Sequence, residues 1–247
     1  MLVLGTFRTA RTSSTTQPLV PLEPLEPLAM SEWLTWQIVD SAFPTGVFAH
    51  SWGLEAAWQQ GEVDDLDALR AFLEASIQQA GHASLPLVND AYRSPDQLET
   101  LDALADAFLL NAVANRASRI QGRTLLGTAG RIWPSAALAA LQARADATCA
   151  HIAPVAGATF RAIGLPLPTV QRVVLYGAAR GVLSAAVRLG IAGSFEAQRM
   201  QYECSPWLER IADRCGALSI DDLAQTAPVL DLLQAGHDRL YSRLFQS

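Results

Sequence analysis

His50, Ser51 and Glu55 put an imidazole, a hydroxyl and a carboxylate in one short stretch, the residue types a nucleophilic hydrolase needs. Their spacing does not serve that chemistry. Neighbouring residues on a helix point about 100° apart, so adjacent His and Ser side chains do not face each other. No G-x-S-x-G elbow is present to expose a serine. A helix-terminal cap with a Ser51/Glu55 polar pair is the use the spacing supports.

Metal chemistry reads no better. His50, His82, His151 and His237 are far apart, and neither H-x-x-x-H nor a clustered Cys/His set appears. No metal site and no cofactor are expected. The doublets Asp64-Asp65 and Asp221-Asp222 stand at helix starts, where capping and the helix dipole account for them. Arg116, Arg119 and Arg123 fall at i, i+3 and i+7, one cationic stripe on a helix, which is either a solvated face or a partner surface. The chain contains no lysine. That excludes a phosphate loop of the G-x-x-x-x-G-K-[ST] type, a Schiff-base lysine and a lysine general base. Any nucleotide loop must come from a partner.

The elements that position these residues read as helices. Half of the 247 residues are apolar, with alanine and leucine dominant and few aromatic residues. The net charge of −6 argues against a nucleic-acid binder. Three cysteines at unrelated spacings, Cys149, Cys204 and Cys215, give no disulfide framework and point to a reducing, cytoplasmic setting. Val170–Ala192 is long enough to cross a membrane, but Arg172, Arg180 and Arg188 recur through it, so it reads as a core helix.

Residues 1–29, rich in Ser, Thr and Arg and then in Pro-Leu repeats, read as a disordered leader, with Met30 an alternative start. Ser31 can cap a helix through Val39 with Trp33, Leu34 and Ile38 near one face. Pro44 and Gly46 then break the pattern, which resumes at Leu54. Asp64 or Asp65 caps a helix striped by Leu66, Leu69, Phe72, Leu73 and Ile77, and Gly81 suits a left-handed helix end. Leu85–Tyr92 is a short helix. Ser94-Pro95-Asp96-Gln97 reads as a capped helix start, Ser135 as the cap of a helix Ala136–Ala150, and Pro154 as first-turn proline of the next. Gly157 inside that helix calls for close packing, and Gly177 and Gly181 should admit a neighbouring helix backbone. Ser194 and the Ser219/Asp222 pair cap later helices. His237, Leu240 and Leu244 share one face if the tail is helical.

Several of these blocks resemble one family. Pro44, Gly46, Phe48, His50, Ser51, Gly53, Leu54 and Glu55 match, in order, the P-x-G-x-F-x-H/Y-S-x-G-L-E signature of urease accessory protein F. Arg116, Ser118, Gly122, Arg123, Leu125 and Leu126 follow a second block, R-x-x-S-x-x-x-G-R-x-L-L, with the serine one position early for some members. Pro154, Val155 and Gly157 give a third. Ser184–Gly190 with Gln198-Arg199 give a fourth. The tail His237, Leu240, Tyr241, Arg243, Leu244, Phe245 and Ser247 gives a fifth. Val47 and the bulky Trp52 depart from the signature. The resemblance spans Trp33 to Ser247.

The resemblance implies an all-α fold, a single-domain bundle of roughly ten helices over residues 30–247, and a subunit that is neither urease nor GTPase. It implies docking on the accessory protein D/H (UreD/UreH), recruitment and regulation of the GTPase UreG, and nickel delivery to apo-urease. It also implies a homodimer, which the Gly177/Gly181 face and the apolar content favour as well. Partner-binding roles would fall on the matched signature, arginine and tail residues, and on Arg119. The tail offers two readings: an anchor for a partner, with Arg243 making charge-assisted contacts, or a helix closing this protein's own core. The alternative to the whole reading is an all-α enzyme whose site assembles from scattered residues.

Overall fold

A computed structural model describes residues 32–45 and 49–246, so the expectations for the leader and for Gly46, Phe48 and Ser247 lie outside the described residues. The fold is all-α: twelve α-helices joined by short 3-10 and π turns, with no strand among the described residues. They are α1 Glu32–Val39, α2 Leu54–Gln59, α3 Leu66–Gln79, α4 Leu85–Arg93, α5 Leu98–Phe108, α6 Ala112–Ile132, α7 Ala136–Ala145, α8 Ile152–Ala162, α9 Leu167–Leu189, α10 Ser194–Glu203, α11 Ser205–Cys215 and α12 Pro228–Ala235.

The long helix α9 is the axis of the larger core. Its Leu175, Ala179, Val182 and Ala186 pack with Leu54, Leu69, Leu73, Ile77, Met200 and Ile211. A second cluster joins α5, α6, α7 and α8 through Leu98, Leu126, Leu138 and Val155. A third, with Ile38, Phe43, Val88, Leu125 and Phe160, bridges the two. Glycine makes the tightest crossings possible. A Cβ on Gly157 of α8 would sit 2.2 Å from the Val88 carbonyl of α4, which is the close packing its position calls for. No helix among the described residues is long and apolar enough to cross a membrane. The three arginines of α9 all have partners: Arg172 the Glu209 carboxylate, Arg180 the Val39 carbonyl, and Arg188 the face of Phe245.

Several local expectations are corrected. Ile38 is buried but Trp33 is 80 % exposed, because five helical steps of about 100° put them well apart around α1. Leu66 opens α3 and is half-exposed, while the rest of its stripe is buried. The expectation that Asp64 or Asp65 caps α3 holds, with Asp65 accepting the Ala68 N–H at 2.8 Å. Gly81 does not end a helix: the chain runs through a π turn, Ala80–Ser84, straight into α4. The glycine is there for contact, since a Cβ would lie 2.5 Å from Ile211. Ser94 makes no side-chain cap. Pro95–Gln97 is a 3-10 turn and the helix starts at Leu98. Gly193 rather than Ser194 is the N-cap of α10, its N–H held by Glu196. The Ser219/Asp222 pair does form, around a single 3-10 turn.

Two corrections bear on function. Gly181 admits the indole of Trp52 instead of a helix backbone, and Gly177 has open space beside it. The tail is not helical beyond a 3-10 turn at Gly236–Arg239; Leu240 is extended and the chain folds back over α2.

Candidate functional site

The signature and the tail meet at Glu55. Trp52 and Gly53 both take left-handed backbone angles, φ 59° and 86°, which turn the chain sharply into α2. At Gly53 a side chain is excluded twice over. It would be strained at that φ, and its Cβ would lie 3.0 Å from Gln234 of α12. The turn aims Glu55 inward, where its side chain is 2 % exposed. A carboxylate so buried must be fully hydrogen-bonded. It accepts His237 Nε2–H at 3.0 Å, the Leu244 N–H at 2.6 Å and the Phe245 N–H at 3.2 Å.

Further contacts close the tail over the signature. The Gln246 N–H donates to the Ala49 carbonyl at 2.7 Å, and Gln59 Nε2 donates to the Ser242 carbonyl at 2.9 Å. Phe245 is buried with the Arg188 guanidinium 4.2 Å above its ring, a cation–π contact. His50 and Ser51 are buried alongside. Burial, with the charge of His237 second, pushes the His50 pKa below its ordinary 6.5. That favours the neutral imidazole. An apolar cavity lies beneath, bounded by Phe43, His50, Trp52, Leu125, Phe160 and Gly181.

The outer side of this lock faces solvent. Tyr241 is fully exposed and Leu244 half-exposed. Asp238 bridges Arg116 at 2.9 Å and Arg243 at 3.5 Å, so the first arginine of the α6 stripe joins the tail. Arg119 and Arg123 lead away: Arg119 sits by Asp106 and Cys149, and Arg123 donates to the Thr148 carbonyl at 3.4 Å. Pro44 lies at the far end, its carbonyl taking the Thr128 hydroxyl at 2.9 Å. The tail's two readings thus divide by side chain. Phe245 closes the protein's own core, while Tyr241, Arg243 and Leu244 are presented outward.

A second polar hub sits at the start of α8. Asp102 of α5, 1 % exposed, accepts the N–H groups of Cys149 at 2.8 Å, Ala150 at 3.1 Å and His151 at 2.6 Å. Taking those three amides out of a helical ladder is why α7 stops at Ala145 rather than Ala150. Ser118 Oγ accepts the Ile152 N–H at 3.2 Å and stands 3.0 Å from His151 Nδ1. Gly122 lets α6 touch this loop, since a Cβ there would lie 1.9 Å from the Ala150 carbonyl. The arginine block therefore carries its serine and glycine for helix packing.

Sequence reasoning missed Asp102, His237 as partner of Glu55, and the convergence of Asp106, Cys149 and His151, whose ligand atoms all lie within 4.8 Å of one another. An acid on the apolar face beside Leu98, Leu101 and Ala105 was the available signal for Asp102. Nothing in the spacing joins residue 106 to 149, or 55 to 237.

The family model described as UreF matches residues 63–205. Urease accessory protein F of Oryza sativa subsp. indica is 35 % identical over 223 residues, spanning 87 % of this chain and 85 % of that protein. Urease accessory protein F of Arabidopsis thaliana is 36 % identical over 225 residues, 87 % and 92 % of the two chains. Urease accessory protein UreF of Rhodopseudomonas palustris strain TIE-1 is 32 % identical over 228 residues, 89 % and 92 %.

Proposed function

The chain belongs to the urease accessory protein F family, and from that premise we propose that it serves urease maturation as a non-enzymatic docking subunit. Its relatives are accessory proteins rather than enzymes. In this reading it docks on the accessory protein D/H (UreD/UreH) in the cytoplasm, as a homodimer, and together they recruit UreG. UreG brings the phosphate loop that a chain without lysine lacks, and nickel passes to apo-urease when GTP is hydrolysed.

The observation that carries the reading is the surface over Glu55. The tail, fastened over the buried signature, and Arg116 of α6 form one composite face with Tyr241, Leu244, Arg243 and Arg116 outward. Tyr and Arg are the types that dominate binding hot spots. A subunit that regulates a GTPase must bind one nucleotide state better than the other. The outward arginines offer charge-assisted contacts for such discrimination.

The test is co-purification with tagged UreD/UreH and UreG, with and without a GTP analogue, together with urease activation. Recovery of both partners, with UreG retention depending on the analogue, is the expected result. Recovery of no urease component would overturn the reading.

A further inference from the structure

The hub at α8 contains more than helix packing requires. Asp102 alone anchors the loop Cys149–His151, yet beside it Asp106, Cys149 and His151 direct a carboxylate, a thiol and an imidazole at one point. We propose that Asp106, Cys149 and His151 form a binding site for a borderline-soft divalent first-row metal ion, held by oxygen, sulfur and nitrogen with a fourth position open to water. The inference is independent of the proposed role in urease maturation and needs no partner protein.

The donor set is the first argument. Thiolate, imidazole and carboxylate are the ligands from which zinc-type sites are built, and three protein ligands with one open position is a recurrent arrangement. The second argument is the fixing of the ligands. His151 is fully buried and its ring is held through Nδ1 by Ser118. Metal-ligating histidines nearly always have such a partner on the other nitrogen. Ser118 Oγ already accepts the Ile152 amide and has a second lone pair for Nδ1–H. Asp106 is oriented by the Asn115 Nδ2 amide at 2.9 Å. Cys149 is held through its backbone by Asp102.

The third argument is the contact between Nε2 and Asp106 Oδ1, 3.1 Å. When Nδ1 carries the proton and donates to Ser118, Nε2 and Oδ1 are two facing acceptors, and a positive particle must lie between them. In the metal-free protein that particle is a proton on Nε2, since the Asp106 carboxylate can only accept. Metal binding replaces it. The ion takes the place of the Nε2 proton and the ring binds with its remaining proton on Nδ1, the Cys149 thiol releases its proton to solvent, and the Asp106 carboxylate binds as it stands. The thiolate and carboxylate charges offset the dication beside the Arg119 guanidinium. A tetrahedral ion would draw nitrogen and sulfur to roughly 3.5 Å apart. Cys149 is half-exposed, so its thiol can close that distance by side-chain rotation, and exposed Asp106 can follow it.

The experiment titrates the purified full-length chain with Co(II), followed by displacement with Zn(II). The expected result is about one Co(II) per chain, with a thiolate-to-cobalt charge-transfer band and tetrahedral visible bands, both removed by Zn(II). Cys149→Ser, at a half-exposed position, should keep the fold by circular dichroism and abolish the charge-transfer band. Asp106→Asn should weaken binding, and Ser118→Ala should weaken it about tenfold or more through the histidine. A band that survives in Cys149→Ser would place the thiolate at another cysteine and overturn the proposal. So would the absence of saturable Co(II) binding in the native chain.

Discussion

Two buried carboxylates in this molecule do the same chemistry to different ends. Asp102 and Glu55 are almost fully enclosed, and each accepts three N–H groups. A fully buried histidine lies beside each, His151 and His237. The clients differ. Asp102 holds a mid-chain loop that Gly122 and the α5–α8 core press from other sides. Glu55 holds the last described residues, where only Phe245 is buried and its neighbours Tyr241 and Leu244 are exposed. The first carboxylate belongs to the scaffold. The second fastens an end of the chain whose outer face is available to a partner. Loss of a buried acceptor costs stability in both places, but only at Glu55 can the orphaned amides reach water by letting the tail go.

Asp102→Ala is the sharpest way to test that contrast. It strands the buried His151 amide, leaves the Ala150 amide only the Thr148 hydroxyl at 3.3 Å and frees the part-buried Cys149 amide, and should lower the unfolding free energy by about 3–5 kcal/mol, read from urea denaturation. A loss under about 1 kcal/mol would mean that the hub is not a structural keystone.

Glu55→Gln should cost less, about 1–3 kcal/mol, because the amide side chain keeps one acceptor. Its distinctive effect should be local. Hydrogen exchange at Leu244 and Phe245 should accelerate towards solvent-exposed rates while α9 stays protected. If these amides remain as protected as in the native chain, the tail is held by something other than Glu55.

Gly53→Ala tests how the lock is aimed. A side chain at φ 86° pressed against Gln234 should destabilise by about 1–2 kcal/mol and loosen the tail with it. A neutral outcome would show that α2 and α12 can separate without consequence.

Proton linkage at His50 is a smaller effect. Its folded-state pKa is below the unfolded value of about 6.5, so the folded state binds fewer protons there. The associated stability is fully present above pH 6.5 and is lost as pH falls from 6.5 through the folded value. Urea midpoints at pH 7.5 and 5.5 should converge in His50→Gln relative to the native chain.

Arg243→Ala should change stability least. Its ion pair with Asp238 is about half-exposed, and such pairs contribute roughly 0–1 kcal/mol. The melting temperature should hardly move, while assembly with UreD/UreH and UreG and urease activation should fall. Normal assembly in this variant would remove the anchor role of the tail.

The division between what sequence decides and what tertiary structure decides is clear in these same residues. Helix content was legible because it is written in near-neighbour spacing: the stripe Leu69, Phe72, Leu73 and Ile77, the Asp65 and Ser135 caps, and Pro154 in the first turn of α8 all act within a few residues. The family was legible because its motifs are contiguous. That Gly157 marks a close crossing was also readable, since glycine inside a helix is costly without a reason. The tail was misread because His237, Leu240 and Leu244, at helical spacing, fit a helix equally well on paper. An acceptor 189 residues away, the Glu55 carboxylate, takes the Leu244 amide instead. The pairing of Glu55 with His237, the Trp52 indole over Gly181, and the meeting of Asp106, Cys149 and His151 share one physical origin. Each joins groups from elements far apart in the chain whose relative placement comes from packing the whole core, and no local periodicity encodes it.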